Sequence, residues 1–300
     1  MGADGEDAQT ELALRLLSEG KAEEGARLLG EACEAGSAVA AERLAVLEAM
    51  GAGRPQSWSR AFAFLDLAAG RGSGSARSQL ELLARGGAGI DLAALLAPPA
   101  KRSLADAPRI RAIAGFATAE ECDWVIGLAG DKLQPARVWD PVTGENRSDP
   151  SRTNHAMDLG LGDTDVIVEV LRARIAATSN LPVPVFETPQ VMRYAVGQAF
   201  HPHYDYLDPN EPGDRAQLQR RGQRIATFLL YLNDDFEGGE TAFPAIGLSH
   251  RGRKGDGLLF ANVDDRGAPE PKALHAGTPP TRGEKWILSQ WVRDRTPAAE

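Results

Sequence analysis

The sequence predicts an α+β protein, with an all-α helical repeat region followed by a larger domain whose β part is a barrel or jelly roll. Three observations carry this. Up to about residue 87, Ala and Leu recur at three- and four-residue spacings and β-branched residues are scarce, the pattern of amphipathic helices. A shift of 36 residues superimposes Leu29 on Leu65, Gly36 on Gly72, Ala40 on Ala76, Leu44 on Leu80 and Gly51 on Gly87, and a period in the mid-thirties built from helix pairs marks a solenoid. After about residue 185 the pattern changes to short apolar or alternating runs bounded by Gly, Pro, Asn or Asp, which are strand signals. Helices followed by many short strands make an α+β domain.

In chain order, helices are expected over 7–19, 22–35, 38–50, 58–70 and 75–85, with Gly20, Gly36, Gly51 and Gly72 at or just past their ends as left-handed caps. Gly86-Gly87-Ala88-Gly89 reads as a boundary, and a short helix from Asp91 to Leu96 stops before Pro98-Pro99. This gives a repeat domain over 1–87, a linker over 88–107 and a second domain over 108–300. That domain opens with a strand over Arg109–Ile113. Thr118 and Glu121 then form a capping box for a helix reaching about Ala129. A further helix covers Thr164 to Ala177. Strands follow at Glu187–Tyr194, Ala199–Tyr206, Ile225–Leu232, Gly257–Ala261, Lys272–Ala276 and Trp286–Val292. The Pro-, Asp- and Gly-containing stretch 207–222 is expected to be a mobile loop at a pocket mouth.

Composition narrows the function classes. Hydrophobic residues make up 43% and charged residues 25% of the chain, as in ordinary globular proteins. Cys33 and Cys122 have no metal-binding or redox spacing, which fits buried thiols in a reducing compartment. The acidic first residues lack a secretion signal, and no apolar run is long enough to span a membrane. A cytoplasmic location is expected. The net charge of −9 argues against a nucleic-acid partner.

The chemistry-bearing residues lie far apart in sequence. His203 and Asp205 form an H-x-D pair, and on a strand their side chains would share one face while Tyr204 points away. His275 can supply a third ligand. Two imidazoles and one carboxylate leave the opposite face of a metal open, which suits non-haem Fe(II) that activates O2. On spacing alone, the pair His201/His203 competes with His203/Asp205. Lys285, ten residues after His275, is a cation for an acidic co-substrate, with Arg282 as its rival. Trp291 falls on the strand face of Lys285. His155 and His250 read as exposed or structural.

Context then sharpens the reading. Residues 109–294 resemble the catalytic domain of prolyl 4-hydroxylases, within the Fe(II)/2-oxoglutarate dioxygenase superfamily. Arg193-Tyr194-Ala-Val-Gly197-Gln198-Ala-Phe200-His-Pro-His203-Tyr-Asp205 resembles that family's first-ligand strand pair, and Arg224 to Tyr231 the following core strand. Gly238-Gly239-Glu240-Thr241-Ala-Phe243-Pro244 resembles its turn. Leu274-His275-Ala-Gly277 through Gly283-Glu-Lys285-Trp286 resembles the distal ligand and co-substrate segment, and Arg152-Thr153 an early element. The resemblance implies a double-stranded β-helix (jelly-roll) domain. It makes His203, Asp205 and His275 the metal ligands, and Lys285 the partner of the distal carboxylate of 2-oxoglutarate. Tyr194 and Thr241 would add hydroxyl hydrogen bonds, with Trp291 as a pocket wall. It implies Fe(II), 2-oxoglutarate and O2, with L-ascorbate to restore oxidised iron. The substrate would be a prolyl residue in a protein or peptide; the alternatives are hydroxylation of a free amino acid or small peptide metabolite, and a non-catalytic repeat-based interaction or sensor protein. Because Asp205 is present, hydroxylation is expected rather than halogenation. The N-terminal region resembles Sel1-like or tetratricopeptide repeats, which implies recruitment of that polypeptide by the helices.

Overall fold

The computed structural model describes residues 3–52 and 54–296. The chain divides into two compact units. One joins the segment up to Ala97 with Gly160–Ala177, and the other joins Pro98–Leu159 with the segment from Thr178 onward.

The first unit holds α1 (Ala3–Ser18), α2 (Ala22–Glu34), α3 (Ala38–Met50), α4 (Trp58–Gly70), α5 (Gly74–Ala84) and α6 (Leu92–Leu96). The bounds of α2 to α6 match the expected ones to within one residue, whereas α1 begins at residue 3 rather than 7. The repeat is visible in the capping. Ser37 and Ser73, one period apart, each accept the backbone N–H of the residue three further on, Ala40 and Ala76, at 3.1 Å, the bond that satisfies an orphan donor of the first turn. Ala40, Ala76, Leu29 and Leu65 are fully buried, so the superimposable positions are the ones at which helices pack.

The later helices are α7 (Ala119–Ala129), which has the expected capping box, α8 (Val166–Ser179) and α9 (Pro212–Arg221). Most of α8 lies in the first unit, although its sequence position is inside the second region. Gln79 Oε1 accepts the Val166 N–H at 3.1 Å, and Arg174 Nε donates to Leu95 O at 2.6 Å. Residues 88–107, expected as a linker, carry α6 and a strand, β1 (Arg102–Asp106).

The second unit continues with β2 (Arg109–Ile113), β3 (Gln134–Pro135), β4 (Val138–Asp140), β5 (Glu145–Arg147), β6 (His155–Asp158), β7 (Gln190–Tyr194), β8 (Phe200–His203) and β9 (Arg224–Tyr231). It ends with β10 (Glu237–Gly238), β11 (Thr241–Phe243), β12 (Leu248–His250), β13 (Gly257–Ala261), β14 (His275–Gly277), β15 (Pro280–Arg282) and β16 (Lys285–Arg293). The large sheet has the order β1-β2-β13-β9-β16-β7-β6-β3, and a smaller sheet the order β12-β11-β14-β8. Their inner faces share one core in which Phe243 of the small sheet meets Leu229, Phe260 and Ile287 of the large one. Two antiparallel sheets packed in this way form the jelly roll, with a pocket between them.

Two sequence expectations are corrected here. The strand that carries His203 ends at that residue, and Asp205 lies in the bend beyond it. The partner strand explains this: β14 begins at His275, opposite His203, and Pro271–Ala273 before it form a 3-10 turn, so the chain past His203 has no ladder to continue. The second correction concerns 207–222, expected as a loop. It contains α9, pinned through Asp214, which accepts Trp139 Nε1 at 2.7 Å and the Asp208 N–H at 2.8 Å. Among the described residues no helix is long and apolar enough to cross a membrane.

Candidate metal centre

The pocket between the sheets brings together the residues that the resemblance assigns to metal and co-substrate, without the rivals His201 and Arg282. Tyr194, His203, Asp205, Thr241, His275, Lys285 and Trp291 all line it. His203, Asp205 and His275 offer ligand atoms that lie within 4.8 Å of one another. Cross-strand pairing of His275 with His203 sets the two imidazoles side by side, with ring centroids 4.3 Å apart. The bend after β8 turns Asp205 toward both. His203 Nε2 is 3.7 Å from one carboxylate oxygen and His275 Nε2 is 3.6 Å from the other. The competing residue His201 is exposed and is not in the cluster.

The donor set fits a divalent cation in its protonation as well as its spacing. Each imidazole has Nδ1 against a backbone carbonyl, His201 O at 2.9 Å and Ala273 O at 3.0 Å. Those carbonyls accept the ring N–H, so each Nε2 lone pair faces the cluster, the tautomer a metal ligand needs. Burial, with His275 beside it, brings His203 down to about 3, so its ring is neutral. Burial alone would raise Asp205, but His275, His203 and Arg224, together with a hydrogen bond from Thr227, outweigh it and hold the carboxyl below its usual range.

Residues to which sequence reasoning assigned no role hold the candidate ligands in place. Thr227 Oγ1 donates to Asp205 Oδ2 at 2.6 Å and accepts from Asn262 Nδ2 at 2.9 Å, and Thr227 and Asn262 are 1% and 0% exposed. Thr227 was visible as a polar residue inside the apolar run of β9. Asn262 gave no signal. On the other side, Phe200 stacks on the His203 ring at 3.5 Å with 12° between planes, and the Arg152 guanidinium covers the outer face of Phe200 at 4.8 Å. Arg152 is itself fixed by donating to Arg137 O at 3.0 Å, to Asn154 Oδ1 at 3.1 Å and to Gln190 Oε1.

Farther along the pocket, Lys285 is 1% exposed. Its ammonium lies 5.4 Å from the centre of the Tyr194 ring and 5.7 Å from that of Tyr231, and among the described residues it has no hydrogen bond or ion pair. Burial drives it down to about 7, against a weaker upward pull from Glu240. A cation kept in this setting calls for an anion supplied from outside. The rival Arg282 is on the surface and pairs with Glu237 at 2.6 Å. Gly239, beside the lysine, leaves room for the Phe236 ring. Its φ is +68°, and a Cβ there would lie 2.9 Å from Phe236 and 3.4 Å from Lys285 Cδ.

The hydroxyl groups divide into two kinds. Among the described residues the Tyr194 hydroxyl donates only to Met192 Sδ, at 3.8 Å, and burial raises its phenol to about 12, so it is a protonated and available donor. Thr241 Oγ1 is 2.9 Å from Tyr231 Oη, which makes Tyr231, also missed from the sequence, the group that orients Thr241. Trp291 forms part of the wall with Arg224 over its ring at 4.6 Å.

Comparison with known proteins agrees with this chemistry. Residues 189–293 match the model of the 2OG-Fe(II) oxygenase superfamily. Prolyl 4-hydroxylase 1 of Arabidopsis thaliana is 35% identical over 202 residues, covering 63% of this chain and 70% of that protein. The chain belongs to the prolyl 4-hydroxylase-like family of 2OG-Fe(II) oxygenases. Prolyl 4-hydroxylase 5 of the same plant is 36% identical over 203 residues, covering 61% of this chain and 68% of that protein. The viral collagen prolyl hydroxylase of Paramecium bursaria Chlorella virus-1, solved as its 2OG complex, is 28% identical and covers 63% of this chain and 98% of that one, with a TM-score of 0.47. As a member of the family the protein is a 2-oxoglutarate-dependent dioxygenase that uses Fe(II), 2-oxoglutarate and O2.

Proposed function

We propose that the protein hydroxylates prolyl residues of a protein or peptide, with His203, Asp205 and His275 holding the iron and Lys285 receiving the distal carboxylate of 2-oxoglutarate. The observation that carries this is the arrangement of one pocket, with a neutral-imidazole and carboxylate cluster at one end and an uncompensated buried ammonium at the other. An iron centre would couple oxidative decarboxylation of 2-oxoglutarate to oxygen transfer into a substrate C–H.

The protein's own part is to bind and to orient. Tyr194 and Thr241 donate to the carboxylate that Lys285 holds. Thr227 restrains Asp205 Oδ2. Phe200 and Trp291 line the place where the pocket passes into a larger cleft of about 840 Å³, bordered also by His203 and Asp205. A cleft of that volume accepts a polypeptide segment. The two curated relatives named above are prolyl 4-hydroxylases, which supports proline as the target. We further propose that residues 1–87 act as a repeat domain that recruits the substrate. A cytoplasmic location suits the two buried free thiols.

The test is a pool of proline-containing peptides incubated with enzyme, Fe(II), 2-oxoglutarate and O2. A product heavier by one oxygen, with the added mass on proline, supports the reading. Succinate formation that no peptide stimulates overturns the substrate assignment. Deleting 1–87 should lower turnover of a protein substrate more than peptide-free decarboxylation, and equal loss of both would refute recruitment.

A further inference from the structure

The larger cleft has a charge pattern that the hydroxylation chemistry does not use. Three of the four carboxylates that line it, Glu187, Asp205 and Asp214, are committed inside the fold. Glu187 takes Arg224 at 2.6 and 2.8 Å and Arg293 at 2.6 Å, Asp214 takes Trp139 and the Asp208 N–H, and Asp205 belongs to the metal cluster. Arg152 and Arg224, the buried cations of the cleft, are spent on partners named above. What faces solvent at the mouth is cationic. Arg137, just before β4, and Arg221, in the last turn of α9, both line it and are exposed. The side chains of Arg137 and Arg221 have no hydrogen-bond or ion-pair partner among the described residues. The exposed carboxylate of the lining is Asp158, and it accepts from Gln190 Nε2 at 2.8 Å. This basic rim stands on a chain of net charge −9.

The two segments are fixed to each other. Gly213, at the start of α9, donates its N–H to Pro141 O at 2.7 Å, and a Cβ there would lie 2.6 Å from Gly144 N. The hairpin β4–β5, which Arg137 precedes, is therefore seated against the helix that carries Arg221. The backbone segments that carry Arg137 and Arg221 are thereby held relative to one another, and two cations lining one groove attract and orient an oppositely charged ligand.

We propose that this mouth selects polypeptides with acidic residues flanking the segment presented to the metal centre. The inference rests on the proposed polypeptide hydroxylation and deepens it, by naming Arg137 and Arg221 as specificity-determining residues outside the catalytic machinery.

The test uses three fluorescein-labelled peptides of equal length around one central proline, with Glu, Gln or Lys flanks. Binding is read by anisotropy on the full chain loaded with Mn(II) and 2-oxoglutarate. The Glu-flanked peptide should bind about tenfold more tightly than the Lys-flanked one at low ionic strength, and most of that advantage should vanish at about 0.5 M salt, where the Debye length falls to a few ångströms. The double variant Arg137→Ser, Arg221→Ser should shrink the Glu/Lys ratio to about twofold while leaving the Gln-flanked peptide and 2-oxoglutarate binding unchanged. Equal affinity for all three peptides, preference for Lys, or a ratio unaltered in the double variant would overturn the proposal. Because binding is read without turnover, a charge preference without proline oxidation counts against the reaction assignment alone. Proline oxidation with equal affinities counts against the charge selection alone.

Discussion

Binding of 2-oxoglutarate should take up a proton at alkaline pH. In the free protein, burial places the Lys285 ammonium at about 7, against an ordinary lysine near 10.4. A bound carboxylate beside it restores the charged form, so the anion binds the protonated protein and the bound-state value returns toward the ordinary one. The sign follows: below pH 7 the lysine is already charged and affinity is flat, and above pH 7 each binding event must recruit a proton. The dissociation constant then scales as 1 + 10^(pH − 7), a rise of about 25-fold between pH 6.5 and 8.5. Calorimetry of the Mn(II)-loaded protein, repeated in buffers of different ionisation enthalpy, reads the proton directly. Uptake should be close to one proton at pH 8.5 and about a quarter of one at pH 6.5. Lys285→Met should lose the binding without losing melting temperature, since it removes a buried cation that has no partner in the free protein. A pH-independent affinity with no proton uptake would refute the reasoning, because Lys285 would then be charged in the empty pocket.

Asp205→Ala should weaken Mn(II) or Fe(II) binding in calorimetry and abolish hydroxylation. Thr227→Val should weaken metal binding about tenfold by freeing Asp205 Oδ2 and lower stability by about 1–3 kcal/mol by stranding Asn262, with Thr227→Ser restoring both in the same titrations and melts. Gly239→Ala, at φ +68° with Phe236 2.9 Å away, should cost about 2–4 kcal/mol of stability in denaturant melts through left-handed strain and overpacking. Arg282→Ala should leave the 2-oxoglutarate dependence unchanged in steady-state assays, since that side chain faces solvent and Glu237.

Long periodic segments and ordered motifs were legible in the sequence, and residues whose role depends on a distant partner were not. Helices α2 to α5 and strand β13 follow from local pattern because each repeats its own spacing. The candidate ligand trio, whose donor atoms the fold gathers within 4.8 Å, was suggested by an H-x-D pair, one further His and the order of the surrounding motifs. The premise that His203 and Asp205 share a strand was wrong in geometry although both line the pocket: β8 stops where its partner stops, a non-local fact. Helix α8 packs with the repeats through Gln79 and Arg43, which hydrogen-bonds the carbonyls of Leu161, Gly162 and Thr164. Nothing local in 160–177 announces those partners. Tyr231 and Asn262 act through Thr241 and Thr227, and such second-layer pairs appear only once the sheets are assembled.

The account stands on one coupling, between the His203–Asp205–His275 cluster and oxidation of a proline. The measurement that tests it most directly is the ratio of hydroxyproline to succinate formed by one Fe(II)-loaded sample with a stimulating peptide. A ratio near one in the wild-type protein, with hydroxyproline absent in Asp205→Ala, is the predicted result. Succinate without hydroxyproline in the wild-type protein, or hydroxyproline persisting in Asp205→Ala, would contradict it.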